Sequence, residues 1–155
     1  MAKISFDGLS KYIEEIGWLK EKTVTICKAA VYDGAGVVAD AIQQETRHVE
    51  PWRGFTDEME KGLEAGLGIA KIEAKDGSVN TKIGYAGYNP KKTKKYPKGI
   101  PNALLARSII RGASHGGNKF RWKNDYVKRA VKRSQDKAVQ SMGQRIEEEI
   151  QKIVK

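Results

Sequence analysis

The run Ala70-Lys71-Ile72-Glu73-Ala74-Lys75-Asp76-Gly77-Ser78-Val79-Asn80-Thr81-Lys82-Ile83-Gly84-Tyr85 is where the chain changes from a helical period to a period of two. Ala70, Ile72 and Ala74 alternate with Lys71, Glu73 and Lys75. Val79, Thr81, Ile83 and Tyr85 alternate with Asn80, Lys82 and Gly84. Alternation puts one set of side chains on each face of a strand. Asp76-Gly77 between the two runs is a strong two-residue turn signal. The stretch predicts a half-buried antiparallel hairpin with its apolar face towards a core.

Helical patterns lie on both sides of it. Residues 3–6 read as a short strand, and Leu9, Ile13, Ile16 and Leu19 then recur at helical spacing behind Asp7 as a cap. Val24, Cys27, Val31, Gly34, Ala35, Val38 and Ile42 step by three and four from about residue 20 to residue 45, a helix of ~39 Å. Gly34 and Gly36 inside it each cost about 1 kcal/mol relative to Ala, so close packing or a kink is expected there. His48, Pro51, Trp52, Gly54 and Phe55 form a loop with aromatic anchors. Thr56 is placed to cap a short helix with Asp57, Glu58 and Glu60 in its first turn and Met59, Leu63 and Leu67 as its stripe, ended by Gly66 and Gly68. After the hairpin, Pro90, Pro97 and five lysines predict an exposed, mobile loop over about 89–100. Pro101 opens a short helix through about Arg111, and the run from Gly112 to Gly117 breaks it. Asn124 or Asp125 caps a last helix of about 28 residues, with Val127, Val131, Ser134, Ala138, Met142, Ile146, Ile150 and Ile153 as its buried stripe. Two long one-faced helices and a hairpin that supplies a sheet face make one α+β domain over 1–155: a small antiparallel sheet packed by long N-terminal and C-terminal helices.

Composition bounds the function. The 155 residues are 39% hydrophobic and 31% charged, with mean hydropathy −0.59, a globular profile large enough to hold a core without staples. No apolar run approaches the ~20 residues of a membrane span. The opening residues have no apolar leader core, and no secretory signal is expected. The single cysteine, Cys27, allows no intrachain disulfide. With only His48 and His115 to join it at wide spacing, no metal site is expected.

The net charge of +10 is unevenly placed. Residues 1–88 sum to −3, residues 89–133 to +13 with Asp125 as their one acid, and residues 134–155 to zero. Such a field draws a polyanion or an acidic protein face, although a solvated loop and basic helix start give the same count. Within it, Phe120, Trp122 and Tyr126 interleave with Lys119, Arg121, Lys123, Lys128 and Arg129. That pattern suits base stacking with phosphate neutralisation, but an aromatic and Arg-rich protein interface is the preferred reading.

Chemistry is thin. Cys27 with His48 or His115 would be a thiol–imidazole pair, but Cys27 sits on an apolar helical stripe where an inert buried thiol is expected. Ser114-His115 adjacency does not aim the imidazole at the hydroxyl. Glu147, Glu148 and Glu149 fan around a helix rather than converge. Gly66-Leu67-Gly68 lacks the third glycine of a dinucleotide fingerprint. No catalytic residue and no cofactor are assigned, and the chain is read as a non-enzyme.

One stretch carries a family resemblance. Gly84-Tyr85-Ala86-Gly87-Tyr88-Asn89 runs into the lysine loop, then Gly99-Ile100-Pro101-Asn102, Ala106-Arg107-Ser108-Ile109 and the Gly112-Ala113-Ser114 break. With Phe6-Asp7-Gly8-Leu9 ahead of the first long helix, small and apolar Ala30, Gly34 and Val38 within it, and an amphipathic helix at the end, the chain resembles the neck, head–tail joining and tail-completion (tail terminator-like) proteins of tailed bacteriophages. It departs from them at Gly112-Ala113-Ser114, where the family often has Gly-Thr-Ser, and at Asp125-Tyr126, where it often has Pro-Phe. The resemblance implies a virion structural protein of the tail or neck, assembled in the bacterial host cytoplasm. It implies a ring, six-fold by resemblance, that completes the tail and meets tail tube, sheath or connector proteins, with transient contact to passing DNA. The alternative is a sequence-nonspecific basic nucleic-acid-binding module. Subunit or partner contacts are expected at Tyr85, Tyr88, Lys91, Lys92, Lys94, Lys95, Tyr96, Lys98, Phe120, Arg121, Trp122 and Lys123.

Overall fold

The computed structural model describes residues 7–49, 55–75, 78–115, 118–121 and 123–154, with the backbone alone described for 7–21 and 113–121. The expected strand at 3–6 lies outside these residues. Helix α1, Asp7–Thr46, is one unbroken helix of 40 residues, ~60 Å long; the two apolar patterns before and after residue 20 belong to the same helix. Helix α4, Tyr126–Val154, has 29 residues. It runs antiparallel along α1: Glu45 pairs with Arg129 and Arg133, and Asp33 with Arg145. The Asp125 carboxylate accepts the Lys128 N–H at 3.3 Å and caps it.

Small side chains set this helix pair. Ala130, Ser134 and Ala138 repeat every four residues on α4 and are buried, facing an α1 that buries Ala30 and Ala35. A Cβ built on Gly34 would stand 2.6 Å from Met142 Cγ and 3.4 Å from the Ala138 carbonyl oxygen. Gly34 is therefore a close contact, as expected. The buried row keeps Gly34, Ala35, Ile42, Ser134 and Ala138 of the stripes read from sequence, but buries Ile26, Ala30 and Ala130 where Val24, Cys27 and Val131 were expected: Val131 is 42% exposed and Val24 48%, and Cys27 is only half-buried. Backbones approach most closely over small residues, so the Ala and Ser row faces α1 and the β-branched row is turned out.

Helix α2, Asp57–Gly66, is capped by Thr56, whose hydroxyl accepts from the Met59 N–H. It runs straight into strand β1, Leu67–Ile69, so Leu67 is a strand residue and not the last of the helix stripe. Strand β1 pairs with β4, Ile83–Tyr85, and β2, Glu73–Lys75, pairs with β3, Ser78–Asn80. Lys75 and Ser78 pair across Asp76-Gly77, which lies outside the described residues. The expected hairpin is present, but longer, and with an irregularity the alternation did not show. Between the Ile69–Ile83 and Glu73–Asn80 pairs, three residues oppose two, which is a β-bulge. Ala70 N–H donates to Lys82 O at 2.7 Å, and Thr81 Oγ1 donates to Ala70 O at 2.7 Å. The half-buried positions consequently run 67, 69 and 72 on one strand against an even 79, 81, 83 and 85 on the other, leaving Ala70 and Ala74 exposed.

Helix α3, Asn102–Arg111, follows Pro101 as expected. The glycine-flanked break after it holds a second hairpin, β5 (Ala113–His115) with β6 (Asn118–Arg121).

The elements meet at a buried chain of hydroxyls. Thr46, at the end of α1, and Tyr126, at the start of α4, are both fully buried. Thr46 Oγ1 donates to Ile42 O at 2.9 Å, and Tyr126 Oη donates to Tyr85 Oη at 2.7 Å. The Tyr85 hydrogen then points to Thr46 Oγ1, 3.3 Å away. The chain Tyr126, Tyr85, Thr46, Ile42 carbonyl thus runs in one direction with every donor used. Burial pushes both phenols above the ordinary tyrosine value of 10, Tyr126 the further of the two. Around it Phe55, Leu63, Leu105, Ile109 and Ala130 form the core.

Two expectations follow from these contacts. Gly34→Leu overpacks the helix pair and costs about 1–3 kcal/mol. Gly36→Ala, with nothing within 4 Å of its built Cβ, stabilises by up to about 1 kcal/mol through helix propensity; denaturant midpoints moving in opposite directions check both. Tyr85→Phe strands a buried donor and costs about 1–3 kcal/mol, whereas Tyr126→Phe removes only the first donor and costs about 1 kcal/mol. Below pH 10 both tyrosines are protonated in the folded and unfolded chains alike. Above it the unfolded chain releases protons that the folded chain keeps, so stability falls as pH climbs. Urea melts at pH 8 and 11 are expected to show a smaller loss for Tyr126→Phe than for the unsubstituted protein.

Candidate functional site

Two buried asparagines, Asn89 and Asn102, hold the base of the lysine loop, at 1% and 2% exposure. Asn89 Nδ2 donates to Met59 O at 2.8 Å and to Asn102 Oδ1 at 3.2 Å, and Asn89 Oδ1 accepts from Lys91 N at 3.2 Å. Asn102 Nδ2 donates to Ala86 O at 2.9 Å. The Asn89 N–H reaches Ile100 O at 2.7 Å, and the Ile100 N–H reaches Lys91 O at 3.0 Å, which closes the loop across its neck. Helix α2 receives the pair on two glycines one turn apart. A Cβ on Gly62 would lie 2.5 Å from Asn89 Nδ2, and one on Gly66 would collide with the Asn102 amide. Gly99 sits at φ +114° with the Asn89 carbonyl oxygen where its Cβ would be; only glycine fits there without strain.

The segment is exposed, as expected, and it is also internally bonded. Thr93 and Tyr96 exchange backbone hydrogen bonds at 3.2 and 3.0 Å, Thr93 Oγ1 accepts from Tyr96 N, and Gly99 N–H bonds Tyr96 O. On this frame Lys91, Lys92, Lys94, Lys95 and Lys98 are all exposed. The Lys95 ammonium lies 5.6 Å from the Tyr96 ring centre, within cation–π range. Tyr88, paired with Pro101 at the neck, is 62% exposed. The result is a compact knob bearing five cations and two tyrosines.

Of the contact residues expected from sequence, the loop gathers Tyr88, Tyr96 and the five lysines. Tyr85 is turned inward to the hydroxyl chain, because its alternation puts it on the buried face of β4. Lys123 is exposed just ahead of α4. The side chains of Phe120 and Arg121, on β6, and the whole of Trp122 lie outside the described residues. Sequence reasoning missed the asparagine pair and Gly62; the available signal was two glycines spaced by four inside a helix pattern, which mark one flat side.

Cys27 and His48 are separated by 21 positions along and just past α1, about 30 Å, so they form no thiol–imidazole pair. The His48 ring nitrogen Nδ1 lies 2.8 Å from Gln44 O. The His115 side chain lies outside the described residues. No helix among the described residues is long and apolar enough to cross a membrane.

Comparison of the chain with protein-family models, with curated protein sequences and with solved structures finds no match.

If the asparagines hold the knob closed, Asn89→Ala leaves Asn102 Oδ1 and Met59 O short of a donor and loosens the loop. Trypsin is expected to cut between Lys91 and Lys98 at least tenfold faster than in the unsubstituted protein, read by mass spectrometry of limited digests. Equal cleavage rates would show that the asparagines do not restrain the loop.

Proposed function

We propose that this chain is a structural ring subunit at the neck or top of the tail of a phage or phage-tail-like particle, completing the tail and joining it to its connector. The supporting observation is that the segment bearing the family resemblance, residues 84–102, is built as an internally hydrogen-bonded knob with its cations outward. A preorganised loop loses little conformational entropy when it docks, so its binding energy is spent on contact. Its lysines and exposed Tyr88 suit an acidic partner face with aromatic anchoring at the centre. Partners in this reading are further copies of the chain and the tail tube, sheath or connector proteins.

The second reading, a sequence-nonspecific nucleic-acid binder, is favoured by Lys123, Lys128 and Lys132, which stand exposed and free of ion pairs among the described residues. Phosphate contacts alone confer steeply salt-dependent binding without sequence choice.

Mass photometry of the purified protein tests the first reading, with a discrete ring expected; a monomer across the micromolar range overturns it. Reversal of Lys92, Lys94 and Lys95 to Glu is expected to leave thermal stability within about 2 °C, as exposed substitutions do, while assembly with tails falls at least tenfold in complementation. Random-sequence duplex DNA is expected to bind negligibly at roughly 150 mM salt, where charges farther than about 8 Å apart are screened. Tight binding there, lost when Lys119, Arg121 and Lys123 become Glu, moves the nucleic-acid reading to first place.

A further inference from the structure

An apolar groove of about 280 Å³ opens where α3 crosses β4 and the ends of the long helices, lined by Ile42, Ile83, Ala103, Ala106, Ile110 and Val127. Arg107 and Arg111, one turn apart on α3, line the same groove. Both are exposed and neither forms an ion pair among the described residues. The volume lies at the lower edge of the range for small-molecule sites and suits a few side chains better than a cofactor. Two guanidiniums free of ion pairs beside an apolar floor select an acidic occupant whose carboxylates stand next to aliphatic side chains.

The chain carries such an element at its other pole. Twenty residues along α4 from Val127, ~30 Å away, Glu147 and Glu148 are exposed and unpaired among the described residues, in contrast to Glu149, which is held by Arg145 and Lys152. Glu147, Ile150 and Val154 follow at i, i+3 and i+7 on one helix face. Val154 is 53% exposed and Ile150 half-buried. Groove and carboxylates lie at opposite ends of one straight helix, so they cannot meet within a single molecule.

We infer that the groove receives the Glu147–Val154 turns of a second copy, with Glu147 and Glu148 on Arg107 and Arg111 and the aliphatic side chains on the groove floor. The contact is head-to-tail: each copy offers a groove at one end and a helix at the other. Repetition of such a contact gives a ring when its rotation closes and a filament when it does not. The inference rests on the ring reading and names the subunit contact within it.

Charge reversal tests it on the full chain by sedimentation velocity at roughly 150 mM salt. Arg107→Glu with Arg111→Glu, and separately Glu147→Arg with Glu148→Arg, are each expected to weaken self-association at least tenfold. Mixing the two variants, or combining all four changes in one chain, is expected to restore it, an outcome that general misfolding does not produce. Ala103→Trp, which fills the mouth of the groove without altering charge, is expected to weaken association as well. An assembled parent with assembled variants overturns the contact and leaves the ring reading intact. A parent that stays monomeric overturns both.

Discussion

A forty-residue helix cannot bury its apolar side alone, and among the described residues α4 is the element that covers the most of α1. Its small residues decide how. Where Gly34 meets Met142 and the Ala138 backbone, α4 comes close enough for Ala, Ser and Gly to fill the space between the helices. The ends of the pair are kept in register by Glu45 with Arg129 and Arg133, and by Asp33 with Arg145. These exposed arginines contribute little energy each, but they fix the antiparallel offset that brings Tyr126 opposite Thr46. Moving that offset by one turn would break the Tyr126–Tyr85 bond and leave a buried phenol donor without its acceptor.

Polar groups perform the joinery. Two small buried networks, the hydroxyls of Thr46, Tyr85 and Tyr126 and the amides of Asn89 and Asn102, tie together elements that share the apolar core. In both networks each buried side chain has at least one hydrogen-bond partner, which distinguishes a specifying buried polar cluster from a destabilising one. They also divide the labour. The hydroxyls lock the helices to the ribbon, and the amides lock the knob to α2. The exposed lysine knob is therefore held by a fastening separate from the one that joins the long helices to the ribbon.

Much of this was legible in the chain. Alternation over 79–85 gave the true face of β4, Asp125 and Thr56 announced their helices, and the steps of three and four gave the length of α4 to within a residue or two, whereas α1 was read as two separate patterns and about fourteen residues short. Gly34 was correctly read as a close approach because a glycine kept inside a helix needs a reason. What escaped reading depends on distant partners. The bulge at 70–72 leaves no local mark, since Ala70 is equally at home on either face. The inward turn of Asn89 depends on a helix thirty residues earlier, and five lysines and two prolines conceal two buried amides. The β5–β6 hairpin has neither alternation nor branched side chains in Ala113-Ser114-His115. Of the expected contact residues, Tyr85 went inward for the same reason that its strand was recognised.

The bulge has a consequence for how this protein survives at high concentration. Every strand of a two-stranded ribbon is an edge, and a flat edge of six or seven residues would template fibrils among identical copies. Here the inserted residue divides the ribbon into two ladders of three pairs each, and bulges sharpen local twist. An incoming strand in register with the first ladder is out of register with the second. Pairing through the backbone is thus hindered along the ribbon, and any association with further copies is left to side chains that can be chosen one at a time.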